Sequence, residues 1–406
     1  MDLAEAPVVL ILVGLAAYAV LAGADYGAGF WQLLGGRGEH DRALREHAHR
    51  AMGPVWEANH VWLIFVLVVT WTAYPVAFGS IASTMAIPLF AAGIGIILRG
   101  TAYALRSGTT EMRELRRIEI GTAVSSILTP FALGAVVGGI ASGRVPVGNA
   151  KGDLVTSWLN PTSMTLGVIA VASAAYLAAV YLAADAVRIG RSDLESAYRR
   201  RALATAVVAG AAAVAGLIAV RSDAERIWNG LTSGAGLAAV IGSALAGAAT
   251  VLLVFRRRYE PARVTAATAV AAIIAGWGIA QRPRFLPGLT IQEAAAGRST
   301  LISLLVSLGL GALILIPSLG LLFSLMLRGR FDEEAAPRRP YTAPVRARPI
   351  PPLLPAAGVC LVVGVVATVA FDSGWGRVVG IPALFAFLAL GSVALISAMT
   401  AAPDSS

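Results

Sequence analysis

The sequence predicts an all-α multi-pass membrane protein: a helical bundle of nine transmembrane helices extended by a C-terminal two-helix hairpin. Three observations carry this. Of the 406 residues, 57% are hydrophobic and 14% charged, whereas a soluble domain carries about 25% charged residues. The mean hydropathy is +0.75. The 32 basic residues, all arginine except Lys151, fall in short clusters, separated by apolar stretches of about 18 or more residues, the length that spans a bilayer. This pattern excludes a soluble enzyme, a disordered protein and, despite a pI of 10.3, a nucleic-acid binder. The single cysteine, Cys360, excludes a disulfide framework and a Cys-based metal site. No segment alternates apolar and polar residues as a transmembrane β-barrel would.

The elements follow in order. Met1-Asp2-Leu3-Ala4-Glu5 is acidic, whereas a secretory signal begins with basic residues, so the first apolar run reads as a retained helix. The predicted spans are 6–34, 54–78, 82–98, 119–141, 161–187, 202–220, 234–254, 264–281, 300–327, 353–371 and 380–400. The second and third are separated only around Pro75 to Ile81. Every second loop (35–50, 99–118, 188–201, 255–263, 328–352) is basic, and together these loops hold 24 of the 32 basic residues. The positive-inside rule assigns them to the cytoplasm, which places the N-terminus outside and the C-terminus inside. Residues 1–327 then form the main bundle and 328–352 a linker rich in Pro and Arg, extended and solvated. Residues 353–406 form the hairpin. Ala202 to Ala219 and Gly234 to Ala249 are rich in small residues, which permit close helix packing in lipid.

Ionisable residues inside spans mark candidate sites, because charge in hydrocarbon is costly. Asp25 lies in Gly23-Ala24-Asp25-Tyr26-Gly27-Ala28-Gly29, where the glycines admit a close neighbour. It reads equally as a proton-relay carboxylate or as an acid near the cytoplasmic end of a long first helix. The second candidate is Trp56-Glu57-Ala58-Asn59-His60-Val61-Trp62. Glu57 and His60 share a helix face at i, i+3, and a carboxylate beside an imidazole can pass protons or hold a metal. Asn59 can hydrogen-bond within a bundle. The blander reading is a helix entering the interface, with Trp56 and Trp62 as belt residues.

Glu46-x-x-His49 and Glu57-x-x-His60 are also two halves of a carboxylate-bridged di-iron pattern. No mid-span glutamate completes it, so no metal site is predicted. Of the four histidines, His40, His47 and His49 fall in a predicted loop, which leaves His60 as the one residue able to reach a membrane haem. Arg256-Arg257-Arg258 reads as a topology anchor, and Arg282, Arg284, Pro283 and Pro287 as an outer-side turn. No nucleotide-binding motif, nucleophile elbow or zincin helix is present.

Taken together, these stretches resemble subunit II of the cytochrome bd quinol oxidases. Residues 23–29 are similar to the family's first-helix Asp-Gly-x-Asp-x-Gly-x-Gly pattern. Gly53-Pro54-Val55-Trp56-Glu57-Ala58-Asn59-His60-Val61-Trp62-Leu63 resembles its Pro-x-Trp-(Asp/Glu)-x-Asn-x-Val-Trp signature. Leu98-Arg99-Gly100, Leu128-Thr129-Pro130-Phe131 and Trp158-Leu159-Asn160-Pro161 resemble further family stretches. Trp277-Gly278-Ile279-Ala280-Gln281-Arg282-Pro283 followed by Pro287-Gly288-Leu289-Thr290-Ile291 resembles its late Trp-Gly-x-Ala-Gln-x-Pro…Leu-Thr-Ile pattern. The likeness runs through residues 6–327 in order.

The resemblance implies a subunit of the respiratory chain in a bacterial cell membrane. It sits in a complex that takes electrons from quinol and reduces dioxygen to water. It places haem b, haem d and the quinol-oxidising loop in a partner, subunit I, and no metal or haem ligand in this chain. It assigns Glu57 and Asp25 to proton uptake, with Asn59 and His60 beside them, and Trp62, with Trp56 near it, to a dioxygen route; His60 stands where many relatives carry a polar residue such as Gln, so the resemblance leaves its own role open. Further expected neighbours are membrane lipid, quinone and a small single-helix accessory subunit, unless the C-terminal hairpin takes its place. The sequence departs from the pattern at Ala22, where relatives carry an acid, at Ala104-Leu105, where they often carry an aromatic-acidic pair, and in the extra hairpin. Two rivals stand beside this reading: a stand-alone proton-coupled secondary transporter, and a structural membrane subunit without oxidase function.

Overall fold

The computed structural model describes residues 2–34, 38–52, 56–106, 112–327 and 353–370, with parts of 379–393. The chain divides into two compact units, residues 1–319 and 320–406. The helices are α1 (Ala6–Leu33), α2 (Glu39–Met52), α3 (Trp56–Ala73), α4 (Pro75–Thr84), α5 (Ala86–Arg106), α6 (Met112–Ala141) and α7 (Pro161–Arg188). They continue as α8 (Ser192–Asp223), α9 (Glu225–Leu231), α10 (Gly234–Phe255), α11 (Tyr259–Gln281), α12 (Ile291–Ala294), α13 (Arg298–Leu327) and α14 (Leu353–Ala370). A two-stranded antiparallel hairpin, β1 (Arg284–Leu286) and β2 (Leu289–Thr290), interrupts the helices before α12.

Among the described residues, eight helices are long and apolar enough to cross a membrane: α1, α5, α6, α7, α8, α10, α11 and α13. The apolar part of α3, Asn59–Ala73, is shorter, as is Pro355–Gly364 in α14. The multi-pass all-α architecture is as the composition predicts, and the differences lie in the connections. The expected loop 35–50 is largely α2, whose Leu44, His47 and Ala48 are buried. The expected loop at 75–81 is α4. Proline lacks an N–H and suits a first helical turn, so the chain breaks at Tyr74 and restarts with Pro75 at the head of α4. The basic stretches 99–118 and 188–201 are mostly helix, because α5 runs on to Arg106 and α8 begins at Ser192. Most of the predicted last span, 380–400, and the linker 328–352 lie outside the described residues.

Local chemistry accounts for the sharper ends. Asn160 caps α7 by accepting from the Ser163 N–H at 2.9 Å, and Pro161 follows at the first helical position. Thr290 and Glu293 form a reciprocal capping box on α12. At the break between α3 and α4, Ala73 O accepts from the main-chain N–H of Ala296 at 2.8 Å, and Tyr74 OH donates to Ala4 O at 2.5 Å.

In lipid, burial from water does not drive helices together, so close contact between small residues must. The core of the first unit is correspondingly rich in alanine. Ala24 and Ala28 of α1 pack with Ala175, Ala178 and Ala179 of α7. Gly27 meets α7 so closely that a Cβ there would run into Ala174 O. A second core cluster joins Ile11, Val69, Tyr74 and Met85 to Leu286 and Leu301. In the second unit, Gly364 of α14 abuts Leu384.

Candidate functional site

Asp25 sits in the C-terminal half of α1, between glycines that let α6 and α7 come close. A Cβ at Gly29 would collide with Ser126 Oγ of α6 and lie 2.9 Å from Arg99 Nη1. Into this space α5 projects Arg99. Arg99 Nε donates to Asp25 Oδ2 at 2.7 Å, and Nη2 donates to both Oδ1 and the main-chain oxygen of Asp25 at 2.6 Å. Nη1 donates to Ser126 Oγ at 3.2 Å, and Tyr103 OH donates to Asp25 Oδ1 at 3.1 Å. Asp25 is 0% exposed and Arg99 1%. Two opposite charges held by two-pronged hydrogen bonds offset each other's desolvation, and a carboxylate in hydrocarbon needs such a partner.

The guanidinium also faces aromatic rings. Arg99 Cζ lies 4.8 Å from the Tyr26 ring centroid and 5.6 Å from that of Tyr103. The His49 ring of α2 stacks on Tyr103 with centroids 5.7 Å apart. On the other side, Tyr26 OH lies 3.2 Å from His60 Nε2 of α3. Tyr18 and Tyr26 flank the imidazole edge-on, at 6.1 and 6.2 Å. Asn59, 2% exposed, donates from Nδ2 to Leu21 O at 3.2 Å and so pins α3 to α1.

The predicted residues therefore separate into three positions. Asp25 is enclosed in an ion pair. Asn59 and His60, two and three residues past Glu57, contact α1. Trp62 packs against the small cluster of Tyr18, Ala22 and Tyr26, edge-on to Phe65 at 6.2 Å. The backbone of α3 begins at Trp56, and the side chains of Trp56 and Glu57 lie outside the described residues. Arg99, counted from sequence as a loop cation, is instead the interior partner of Asp25. The signal was available, since a buried aspartate demands a nearby cation. Tyr26, Tyr103 and Ser126 were not singled out, because neutral hydroxyl groups in an apolar run leave no mark in charge or period.

A second polar cluster ties α2 to the bundle. His47 Nε2 lies 3.2 Å from Leu182 O and 3.7 Å from Asp185 Oδ2, and its ring packs on Tyr198. The expected loop histidines thus sit on a helix, with His47 buried.

Among the described residues, no three His, Cys, Asp or Glu side chains gather as metal ligands. His47 and His60 each engage Nε2 with a polar neighbour, and Nε2 is a nitrogen an iron would need.

The family described as cytochrome bd terminal oxidase subunit II matches residues 3–326. The chain is 26% identical over 222 residues to the putative cytochrome bd menaquinol oxidase subunit II of Bacillus subtilis, covering 53% of this chain and 61% of that one. It is 26% identical over 181 residues to the cytochrome bd-I ubiquinol oxidase subunit 2 of Escherichia coli K12, covering 42% of this chain and 46% of that one. The aligned parts thus span about half to three-fifths of these curated relatives. The fold is similar to a chain of the bd oxidase from Geobacillus thermodenitrificans, with a TM-score of 0.68 at 24% identity, covering 80% of this chain and 99% of that one. The chain belongs to the cytochrome bd terminal oxidase subunit II family.

Proposed function

We propose that this protein is subunit II of a bd-type quinol:dioxygen oxidoreductase of the respiratory chain. It supports a haem-bearing subunit I and gives protons and dioxygen access to it, while the haems b and d and the quinol site belong to that partner. Family membership supports the assignment to a bd complex. The observation that carries the access role is the Tyr26–His60 pair, a part-buried hydrogen-bonded contact between α1 and α3 one turn beyond Glu57.

In this reading Glu57 receives a proton at the start of α3. His60 takes it at one imidazole nitrogen and exchanges with Tyr26 OH at the other, since imidazole can hold and release protons at two distinct atoms. Asn59 fixes the face that α3 presents. Asp25 acts through Arg99, whose cation beneath the Tyr26 ring sets the electrostatic environment of the phenol. For dioxygen an apolar gap beside Trp62 would suffice, and Trp56 is assigned to the same route. The arginine distribution supports an N-terminus outside and a C-terminus in the cytoplasm of a bacterial cell membrane. The Pro- and Arg-rich linker 328–352 and the hairpin beyond it extend the family bundle. The hairpin would either cover a lipid-facing surface or stand where a small accessory subunit otherwise binds.

The test is direct. Purification from the native membrane should bring down a haem-d-bearing partner, seen in the reduced-minus-oxidised spectrum. Glu57→Ala should slow oxygen consumption with haem content unchanged. A haem-free chain without a partner would sink the assignment, and unchanged turnover would sink the role of Glu57. The transporter reading is disfavoured by Asp25, whose engagement by Arg99 withdraws one of its two coupling carboxylates.

A further inference from the structure

We propose that the turn joining α10 to α11 is a headgroup site for an anionic phospholipid. The turn carries Arg256, Arg257 and Arg258 in succession. Arg257 adopts a left-handed backbone, φ 57°, which a residue bearing a Cβ rarely takes. That conformation lets Arg257 N–H return to Val254 O at 3.1 Å and Arg258 N–H to Leu253 O at 2.8 Å, closing the end of α10. Arg199 of α8 covers two carbonyls at this helix end, donating Nε to Val254 O at 3.2 Å and Nη2 to Phe255 O at 2.9 Å.

The local acids are already engaged. Glu195, 3% exposed, accepts from Tyr259 OH and from Arg257 Nη1 at 3.2 Å. Glu260 pairs with Arg263 at 3.5 Å. Among the described residues, Arg256 and Arg258 are exposed with no carboxylate partner. The three arginines of the turn, with Arg199 of α8 beside them, face one buried acid and therefore present uncompensated positive charge.

Directly along the helix from these cations, one face of α10 is exposed and apolar. Phe255 is 64% exposed, Leu252 48% and Leu245 65%. Guanidinium groups at the end of an exposed apolar helix face match a phosphodiester carrying acyl chains. The forked donors of arginine suit phosphate oxygens, and the chains would lie on Leu245, Leu252 and Phe255. A free phosphate would use only the first half of this surface.

The test uses the complex purified in detergent and then mixed with lipid. Wild type should retain added phosphatidylglycerol over phosphatidylcholine, measured by mass spectrometry of the washed complex. Arg256→Gln should lower retained phosphatidylglycerol about fivefold, the effect of one basic residue at an anionic headgroup. Arg256→Gln/Arg258→Gln should abolish the preference, and Arg256→Lys/Arg258→Lys should keep most of it. Arg42→Gln, which removes one exposed arginine from α2, should change nothing. Equal loss with Arg42→Gln, equal retention of the two lipids by wild type, or displacement of the lipid by millimolar inorganic phosphate would overturn the proposal.

Discussion

Arg99 grips both carboxylate oxygens of Asp25, with Nη2 2.6 Å from Oδ1 and Nε 2.7 Å from Oδ2, and both side chains are buried. Removing one partner strands the other charge in a medium that cannot solvate it. Arg99→Gln or Asp25→Asn alone should therefore destabilise the protein by about 3–5 kcal/mol, read as a loss of thermal stability in detergent. The double variant should recover a substantial part of that loss, because no uncompensated charge remains. Additive losses would show that the two charges do not depend on each other.

The approach of α1 to α7 rests on a missing side chain. Gly27→Val should push the two helices apart and cost about 1–3 kcal/mol by overpacking, since even the first added carbon meets Ala174 O and Ala178 Cβ. Gly93 of α5 has nothing within 4 Å of a built Cβ, so Gly93→Ala should leave the unfolding temperature unchanged or slightly raised. Equal loss in both would remove the packing argument.

The Tyr26–His60 contact predicts a kinetic coupling. Tyr26→Phe keeps the ring over Arg99 and deletes only the hydroxyl. It should slow oxygen consumption about tenfold, or 1.4 kcal/mol in the barrier, without loss of haem from the complex. His60→Gln should slow it similarly, and Tyr26→Phe/His60→Gln should be no slower than the slower single variant. Multiplicative effects would mean that the two residues serve separate steps.

A pH dependence follows from the capping box of α12. The Glu293 carboxylate accepts from Thr290 N–H and Thr290 Oγ1, both at 2.8 Å, which holds it below the ordinary glutamate value of 4.5. A depressed folded-state value means that its stabilising contribution is complete above pH 4.5 and disappears as the pH falls through the lowered value. The unfolding temperatures of wild type and Glu293→Gln should differ at neutral pH and converge on acidification. A gap that persists in acid would place the stabilisation elsewhere.

Membrane residence and the approximate positions of most helices were legible in the sequence, because runs of apolar residues bounded by arginine are a one-dimensional signal. The connections were less so. α2 reads as a charged loop by composition, yet its buried face uses Leu44, His47 and Ala48, and a single histidine facing inward does not lift the average. Arg99 illustrates the opposite error, since a cation at the end of an apolar run looks like a topology anchor until its partner is known. Asp25, Asn59 and His60 were found because polar groups in hydrocarbon stand out. Tyr26 and Tyr103 were not, because a tyrosine is equally at home in an apolar contact and only three dimensions show where its hydroxyl points.

The bond from Ala296 N–H to Ala73 O couples two places more than two hundred residues apart without using any side chain. It exists because Pro75 breaks the helical ladder just beyond that carbonyl. A latch of this kind is held by the path of the chain rather than by residue identity. Exchange among small residues at Ala73 or Ala296 would leave the latch itself in place, and a larger side chain at the fully buried Ala73 would be felt through packing rather than through this bond. Inserting one residue between Ala296 and α13 would carry the whole helix out of register with it.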